Sequence, residues 1–168
     1  MKSKISLAFE KCREENRPAL ITYTVAGDNT KKNSAKILNT IARHADILEL
    51  GFPHNTPIAD GGQIQGSSYR ALKNGIKIKD VLQIVKGFKK VYPLKPIILM
   101  GYYNIIYQYG VSKFLNNCKL SGVDGLIVVD LPWPENKKFS NKCRKKSINF
   151  IQLLSPTTTL ERIKKISK

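Results

Sequence analysis

Residues 46–62 read DILELGFPHNTPIADGG, a short apolar run followed by a loop of prolines and glycines. Apolar runs of the same kind recur along the chain, and their β-branched residues do not alternate with polar ones, which is typical of strands buried on both faces. These further runs are ALITYTV (19–25), PIILM (96–100), GLIVVD (125–130) and NFIQLL (149–154). The sequence therefore predicts five strands.

The segments between these runs have helical spacing. Predicted helices cover 33–45, 79–90, 111–122 and 136–147, and a fifth begins at Thr158, which forms a capping-box pattern with Glu161. Strands that alternate with helices predict parallel β/α units with right-handed crossovers. A closed (β/α)8 barrel takes roughly 200 residues or more. The 168 residues therefore predict one α/β domain, 1–168, as an incomplete barrel with strand order 1-2-3-4-5.

Composition limits the classes of function. The chain has 29 Lys and Arg against 12 Asp and Glu, a formal charge of +17, yet these cations are spread along its whole length. Dispersed lysines indicate solvated helix faces and a general attraction for anions, rather than a contiguous stripe of cations that binds nucleic acid. The three cysteines, Cys12, Cys118 and Cys143, lack CxxC spacing, so the sequence predicts neither a disulfide framework nor a zinc site. We expect a cytoplasmic protein.

Four side chains with reactive or hydrogen-bonding groups come at or after strand ends. Glu49 is predicted to end the second strand and Asp60 to lie in the loop after it; Tyr102 follows the third strand and Asp130 ends the fourth. Catalytic groups of parallel β/α folds lie at the carboxyl ends of strands, so these four are expected on one face. Acids at strand ends are also common as solvated or capping residues, and position alone leaves both interpretations open.

Several motifs together resemble one family. They are LITYTVAGD (20–28), ELGFPHNTPIADGGQIQ (49–65), MGYYN (100–104), GVDGLIVVDLP (122–132) and SPTTTLERIKKI (155–166). In this order they resemble the tryptophan synthase α subunits, which are (β/α)8 barrels. The resemblance implies a lyase that cleaves indole-3-glycerol phosphate to indole and glyceraldehyde 3-phosphate.

The resemblance also implies roles for individual residues. Glu49 corresponds to the general acid/base of the family and Asp60 to the carboxylate that stabilises the cationic indolenine. An apolar pocket is expected to raise the pKa of Glu49. Tyr23 and Tyr102 correspond to positions around the indole, although core packing is an open alternative for both. Asp130 is expected to order neighbouring loops.

The resemblance implies no cofactor and no metal for this chain. It implies a partner, the tryptophan synthase β subunit, in an α2β2 heterotetramer. Two positions depart from the family pattern: Thr56 stands where an aspartate is usual, and His54 stands where a phenylalanine is usual. Thr56 puts communication with the partner in doubt rather than the chemistry.

The phosphate-binding glycine loops of the family are not found in this sequence. We therefore expect the chain to be an amino-terminal portion of the family's barrel, and the isolated 168 residues to have low activity. Another phosphate-sugar barrel enzyme is an alternative, but such an enzyme is expected to place a lysine or cysteine at a strand end. A basic nucleic-acid-binding protein is a less favoured alternative because the cations are dispersed.

Overall fold

The structure, a computed structural model, describes residues 2–167. The helices are α1 Lys4–Glu14, α2 Lys31–Ile41, α3 Gly62–Lys73, α4 Ile78–Val91, α5 Tyr103–Tyr109, α6 Val111–Ser121, α7 Lys137–Lys145 and α8 Leu160–Ile166. The strands are β1 Ile21–Val25, β2 Ile47–Gly51, β3 Ile97–Gly101, β4 Gly125–Val128 and β5 Asn149–Ile151. None of these helices is long and apolar enough to cross a membrane.

The strands form one parallel sheet in the order β1-β2-β3-β4-β5, as predicted. Each strand pairs with the next strand along the chain, and helices form the crossovers, which is the arrangement of a (β/α) barrel wall. The predicted fold class, an incomplete barrel of about five β/α units, is confirmed.

Two apolar layers hold the sheet. On its outer face Leu48, Leu50 and Leu99 are buried in the main core with the crossover helices. On its inner face Ile47, Ile98 and Ile127 form a smaller core, against which residues of α1 and the neighbouring strands pack: Ile5, Ala8, Met100 and Ile151. Helix α1 therefore covers part of the inner face, at the amino-terminal end of the sheet.

The structure differs from the sequence-based predictions in several details. Helices α1, α3 and α5 were not predicted, and the predicted strands β4 and β5 were too long at their carboxyl ends. The predicted capping box is wrong: Thr159 is the N-cap of α8 and accepts a hydrogen bond from the Arg162 N–H. The Thr158 hydroxyl is engaged in the preceding turn, where it accepts a hydrogen bond from the Ser155 N–H at 3.0 Å.

A poorly exposed ion pair joins the amino-terminal end of the sheet to helix α4. The Lys89 Nζ lies 2.5 Å from the Asp124 Oδ2, and their side chains are 10% and 13% exposed. The same carboxylate oxygen accepts the Ile97 N–H at 2.9 Å, at the start of β3. Burial holds the pKa of Lys89 below its ordinary value, and the Asp124 carboxylate acts in the opposite direction. The pair therefore fixes α4 against β3 at the amino-terminal ends of β3 and β4.

We expect Asp124→Asn to lower the free energy of unfolding by about 3 kcal/mol, because it leaves a desolvated ammonium without its counter-charge. Urea unfolding followed by circular dichroism measures the change. The matched control is Glu161→Gln, which breaks the exposed Glu161–Lys165 pair of α8 and should leave the midpoint nearly unchanged. Equal shifts in the two variants would contradict a special role for the Lys89–Asp124 pair.

Candidate active site

Glu49 lies in the middle of β2 and faces the inner side of the sheet. Its neighbours Leu48 and Leu50 point into the outer core, so alternation turns the Glu49 side chain inward. In the parallel register it stands between Tyr23 of β1 and Ile98 of β3. The prediction that Glu49 ends the strand was wrong by two residues, because β2 continues to Gly51.

The surroundings of Glu49 change its protonation. Burial raises the pKa of the Glu49 carboxyl above its ordinary value. The direction is the one expected from an apolar pocket, since removal from water disfavours the charged form. A carboxyl that retains its proton to higher pH is suited to act as a general acid.

Tyr23 crosses the inner face beside Glu49, and its position requires a glycine on the next strand. A Cβ atom placed on Gly51 would lie only 2.2 Å from the Tyr23 Oη. Burial raises the pKa of Tyr23, and the nearby carboxylates of Asp60 and Glu49 raise it further. Tyr23 therefore keeps its hydroxyl proton and lies near both predicted catalytic carboxylates.

Asp60 is partly buried and is oriented by Tyr102. The Tyr102 hydroxyl donates a hydrogen bond to the Asp60 Oδ2 at 3.0 Å and accepts one from the Ala59 N–H at 3.0 Å. The Gln65 side chain of α3 donates to the Asp60 carbonyl at 2.8 Å, which fixes the backbone as well. Tyr102 itself is only 4% exposed, and burial raises its pKa. The Tyr102 hydroxyl thus forms its hydrogen bonds with the loop that carries Asp60.

A second close approach, between Gly101 and the ring of Phe52, lies next to Tyr102. The sequence analysis did not predict it. A Cβ atom on Gly101 would lie 2.2 Å from the ring of Phe52, so glycine leaves room for that ring at the end of β3. The Phe52 N–H donates to the Met100 carbonyl at 2.9 Å, which extends the β2–β3 pairing by one residue. The loop after β2 therefore leaves the sheet directly beside Tyr102. The sequence did offer one signal for these close approaches: a glycine ends each of the adjacent strands β2 and β3, at Gly51 and Gly101.

Asp130 joins the carboxyl ends of β3 and β4. Its Oδ1 accepts a hydrogen bond from the Tyr103 N–H at 2.7 Å, at the first residue of α5. The carboxylate thereby orders a loop, as expected from the sequence. The structure thus brings Asp60, Tyr102 and Asp130 together in the loops after β2, β3 and β4, whereas Glu49 lies in the middle of β2, beside Tyr23.

A large cavity lies elsewhere. It measures about 1100 Å³ and lies beside β5, where Asn149 and Gln152 belong to its lining. None of the predicted site residues lines this space. The chemistry of the side chains therefore locates the candidate site better than volume does. Within residues 2–167, no group of three His, Cys, Asp or Glu side chains is arranged to hold a metal ion.

The chain is similar to known proteins of one family. A sequence profile described as tryptophan synthase alpha chain matches residues 9–168. The tryptophan synthase alpha chain of Pelagibacter ubique (strain HTCC1062) is 71% identical over 164 residues, which are 98% of this chain and 62% of that protein. The chain thus spans less than two thirds of that relative's length.

Solved structures give the same result. A tryptophan synthase alpha chain from Legionella pneumophila subsp. pneumophila superposes with a TM-score of 0.92 at 36% identity, over 99% of this chain and 63% of that one. A tryptophan synthase complex from Pyrococcus furiosus contains a chain with a TM-score of 0.84 at 46% identity, over 87% of this chain and 60% of that one. The resemblance seen in the motifs is confirmed, and the chain belongs to the tryptophan synthase alpha chain family.

Proposed function

We propose that this chain carries the catalytic carboxylates of a lyase that cleaves indole-3-glycerol phosphate to indole and glyceraldehyde 3-phosphate in tryptophan biosynthesis. The observation that carries the proposal is the contrast between two acids close to Tyr23. Burial favours the protonated form of Glu49, whereas Asp60 lies in a loop, is partly exposed and accepts a hydrogen bond from the Tyr102 hydroxyl. Two carboxyl groups in different environments can take different parts in one reaction.

The first part of the reaction needs an acid. Glu49 donates its proton to C3 of the indole ring, which converts the ring to an indolenine with a cationic nitrogen. The Asp60 carboxylate lies near that nitrogen and stabilises its positive charge, most strongly in the transition state. Tyr102 holds the Asp60 carboxylate in place beforehand, so that no reorganisation is needed when the charge develops.

The second part of the reaction needs a base. Glu49, now a carboxylate, takes the proton of the glycerol hydroxyl next to the ring. The oxygen forms a carbonyl, the bond between that carbon and C3 breaks, and its electron pair returns to the ring and neutralises the nitrogen. Indole and the aldehyde are released, and Glu49 again carries its proton. Tyr23 provides a wall of the indole pocket on the β1 side.

We expect Glu49→Gln and Asp60→Asn each to lower indole release by at least about 100-fold, because each removes a proton-transfer or charge-stabilising group. The rate is measured with indole-3-glycerol phosphate on the full protein that contains this chain. The controls are serine variants of the three buried cysteines, Cys12, Cys118 and Cys143, which should retain activity. Burial raises the pKa of the Cys143 thiol to about 12, which makes it a poor nucleophile at neutral pH. Near-normal turnover in a folded carboxylate variant would overturn the role of that residue.

We further propose that the partner is a tryptophan synthase β subunit in an α2β2 complex, as in the Pyrococcus furiosus relative described as such a complex. The contact would include the loop 53–60, where Ile58 is 84% exposed. The β subunit would consume the indole with pyridoxal phosphate, and this chain would bind no cofactor. Thr56, in place of the family's aspartate, is expected to weaken mutual activation.

The full protein and its cognate β subunit should co-migrate in size-exclusion chromatography at micromolar concentrations, and each should change the other's rate. Ile58→Asp is expected to weaken the complex, because it places a charge on an exposed apolar side chain of the contact loop. Leu94→Asp, at a similarly exposed position outside the loop, serves as the control. Separate migration with unchanged rates would rule out the assembly.

A cytoplasmic location belongs to the same proposal. The three cysteines are free and buried, which suits a reducing compartment. Recovery of the protein from a secreted fraction would contradict this location.

A further inference from the structure

The loop that carries Asp60 contacts Tyr102 at two separate points. At its far end, the Ala59 N–H and the Asp60 carboxylate share the Tyr102 hydroxyl. At its near end, the imidazole of His54 lies on the Tyr102 ring, with ring centroids 4.9 Å apart and an angle of 32° between the planes. One buried tyrosine is therefore held at its ring and at its hydroxyl by the same stretch of chain.

The two contacts depend on each other. The Tyr102 hydroxyl is the atom of the side chain farthest from the backbone, so a small tilt of the ring moves the hydroxyl most. Hydrogen bonds weaken steeply when their distance or angle departs from the optimum. A side chain that fixes the tilt of the Tyr102 ring therefore also fixes the position of the Asp60 carboxylate.

We propose that His54 is a positioning residue for Asp60: its ring packs against the ring of Tyr102 and thereby orients the hydroxyl that binds the carboxylate. The role in catalysis rests on the function proposed above for Asp60. His54 is not assigned a contact with substrate.

The ring of His54, rather than its Nδ1 atom, supplies this effect. Within residues 2–167 the buried His54 Nδ1 has no hydrogen-bond partner, so that nitrogen does not fix the imidazole. A cavity of about 570 Å³ lies on the loop and α3, with Pro57 and Tyr69 among its lining residues beside His54. Without the contact between the two rings, the loop has space into which it can move. Phenylalanine at position 54 keeps an aromatic face and should therefore preserve the positioning effect of His54.

A double-mutant cycle tests the proposal on the full protein. His54→Ala should lower kcat about tenfold, since a displacement of reacting groups by a fraction of an ångström is costly, and should leave KM nearly unchanged. His54→Leu, which keeps more of the volume but has no aromatic face, should have the same effect and replaces the alanine variant if that variant does not fold. His54→Phe should retain kcat within about twofold, because it keeps an aromatic ring against Tyr102.

The cycle is completed with Tyr102→Phe, which keeps the ring and removes the hydroxyl. If His54 acts through that hydroxyl, His54→Ala should cause no further loss of kcat in the Tyr102→Phe background. His44→Ala, a change of the other histidine at an exposed position after α2, is the matched control and should leave kcat unchanged. Additive losses of kcat from His54→Ala and Tyr102→Phe would overturn the proposal. Equal losses from His54→Leu and His54→Phe would also overturn it.

A second measurement does not need substrate. The amide signal of Ala59 in a ¹H–¹⁵N spectrum reports the hydrogen bond to the Tyr102 hydroxyl. It should move in His54→Leu toward its position in Tyr102→Phe, and it should stay in place in His54→Phe and His44→Ala. An unmoved Ala59 signal in His54→Leu would overturn the positioning role even if the enzyme is active. A shifted signal in a protein that does not cleave indole-3-glycerol phosphate would support the positioning of Asp60 and refute the proposed function instead.

Discussion

An acid on the buried inner face of the sheet is the constraint on which the rest of the site depends. Glu49 occupies the middle of β2. The residues on either side of it, Leu48 and Leu50, face the other side of the sheet and are 1% and 0% exposed. A shift of β2 by one residue would move these leucines out of the core and turn Glu49 toward the helices. The apolar pattern of the strand therefore fixes the direction of the carboxyl, and the desolvation that follows raises its pKa.

The second carboxylate reaches the same region by a less regular route. Gly51 leaves space for the hydroxyl of Tyr23, and Gly101 leaves space for the ring of Phe52, so the chain can leave β2 close to the end of β3. There the Tyr102 hydroxyl binds Asp60. A regular sheet thus places one acid, and a loop folded around a buried tyrosine places the other. Two acids in different local environments can therefore lie near each other.

The fold was largely predictable from the sequence, because long apolar runs and helical spacing are local signals. Helix α3 was missed because its first turns, GQIQG, have the composition of a loop. The N-cap of α8 was misplaced by one residue because Thr158 and Thr159 both offer a hydroxyl. The hydrogen bond of Tyr102 to Asp60 joins residues 42 positions apart, and no local pattern announces such a contact. The motifs singled out Glu49 and Asp60 as candidate acids, whereas the environments of these two residues required the structure.

The central claim is that partial burial against the sheet raises the pKa of the Glu49 carboxyl, and the pH dependence of stability tests this directly. A carboxyl whose pKa is higher in the folded than in the unfolded state stabilises the fold fully below the unfolded value and loses that contribution as pH rises through the folded value. Urea unfolding of the wild type and Glu49→Gln should be compared between about pH 4 and about pH 8, the range in which a buried carboxyl titrates. The account predicts that the wild type loses stability relative to the neutral Gln variant as pH rises. A difference that is constant with pH, or that changes in favour of the wild type, would contradict it.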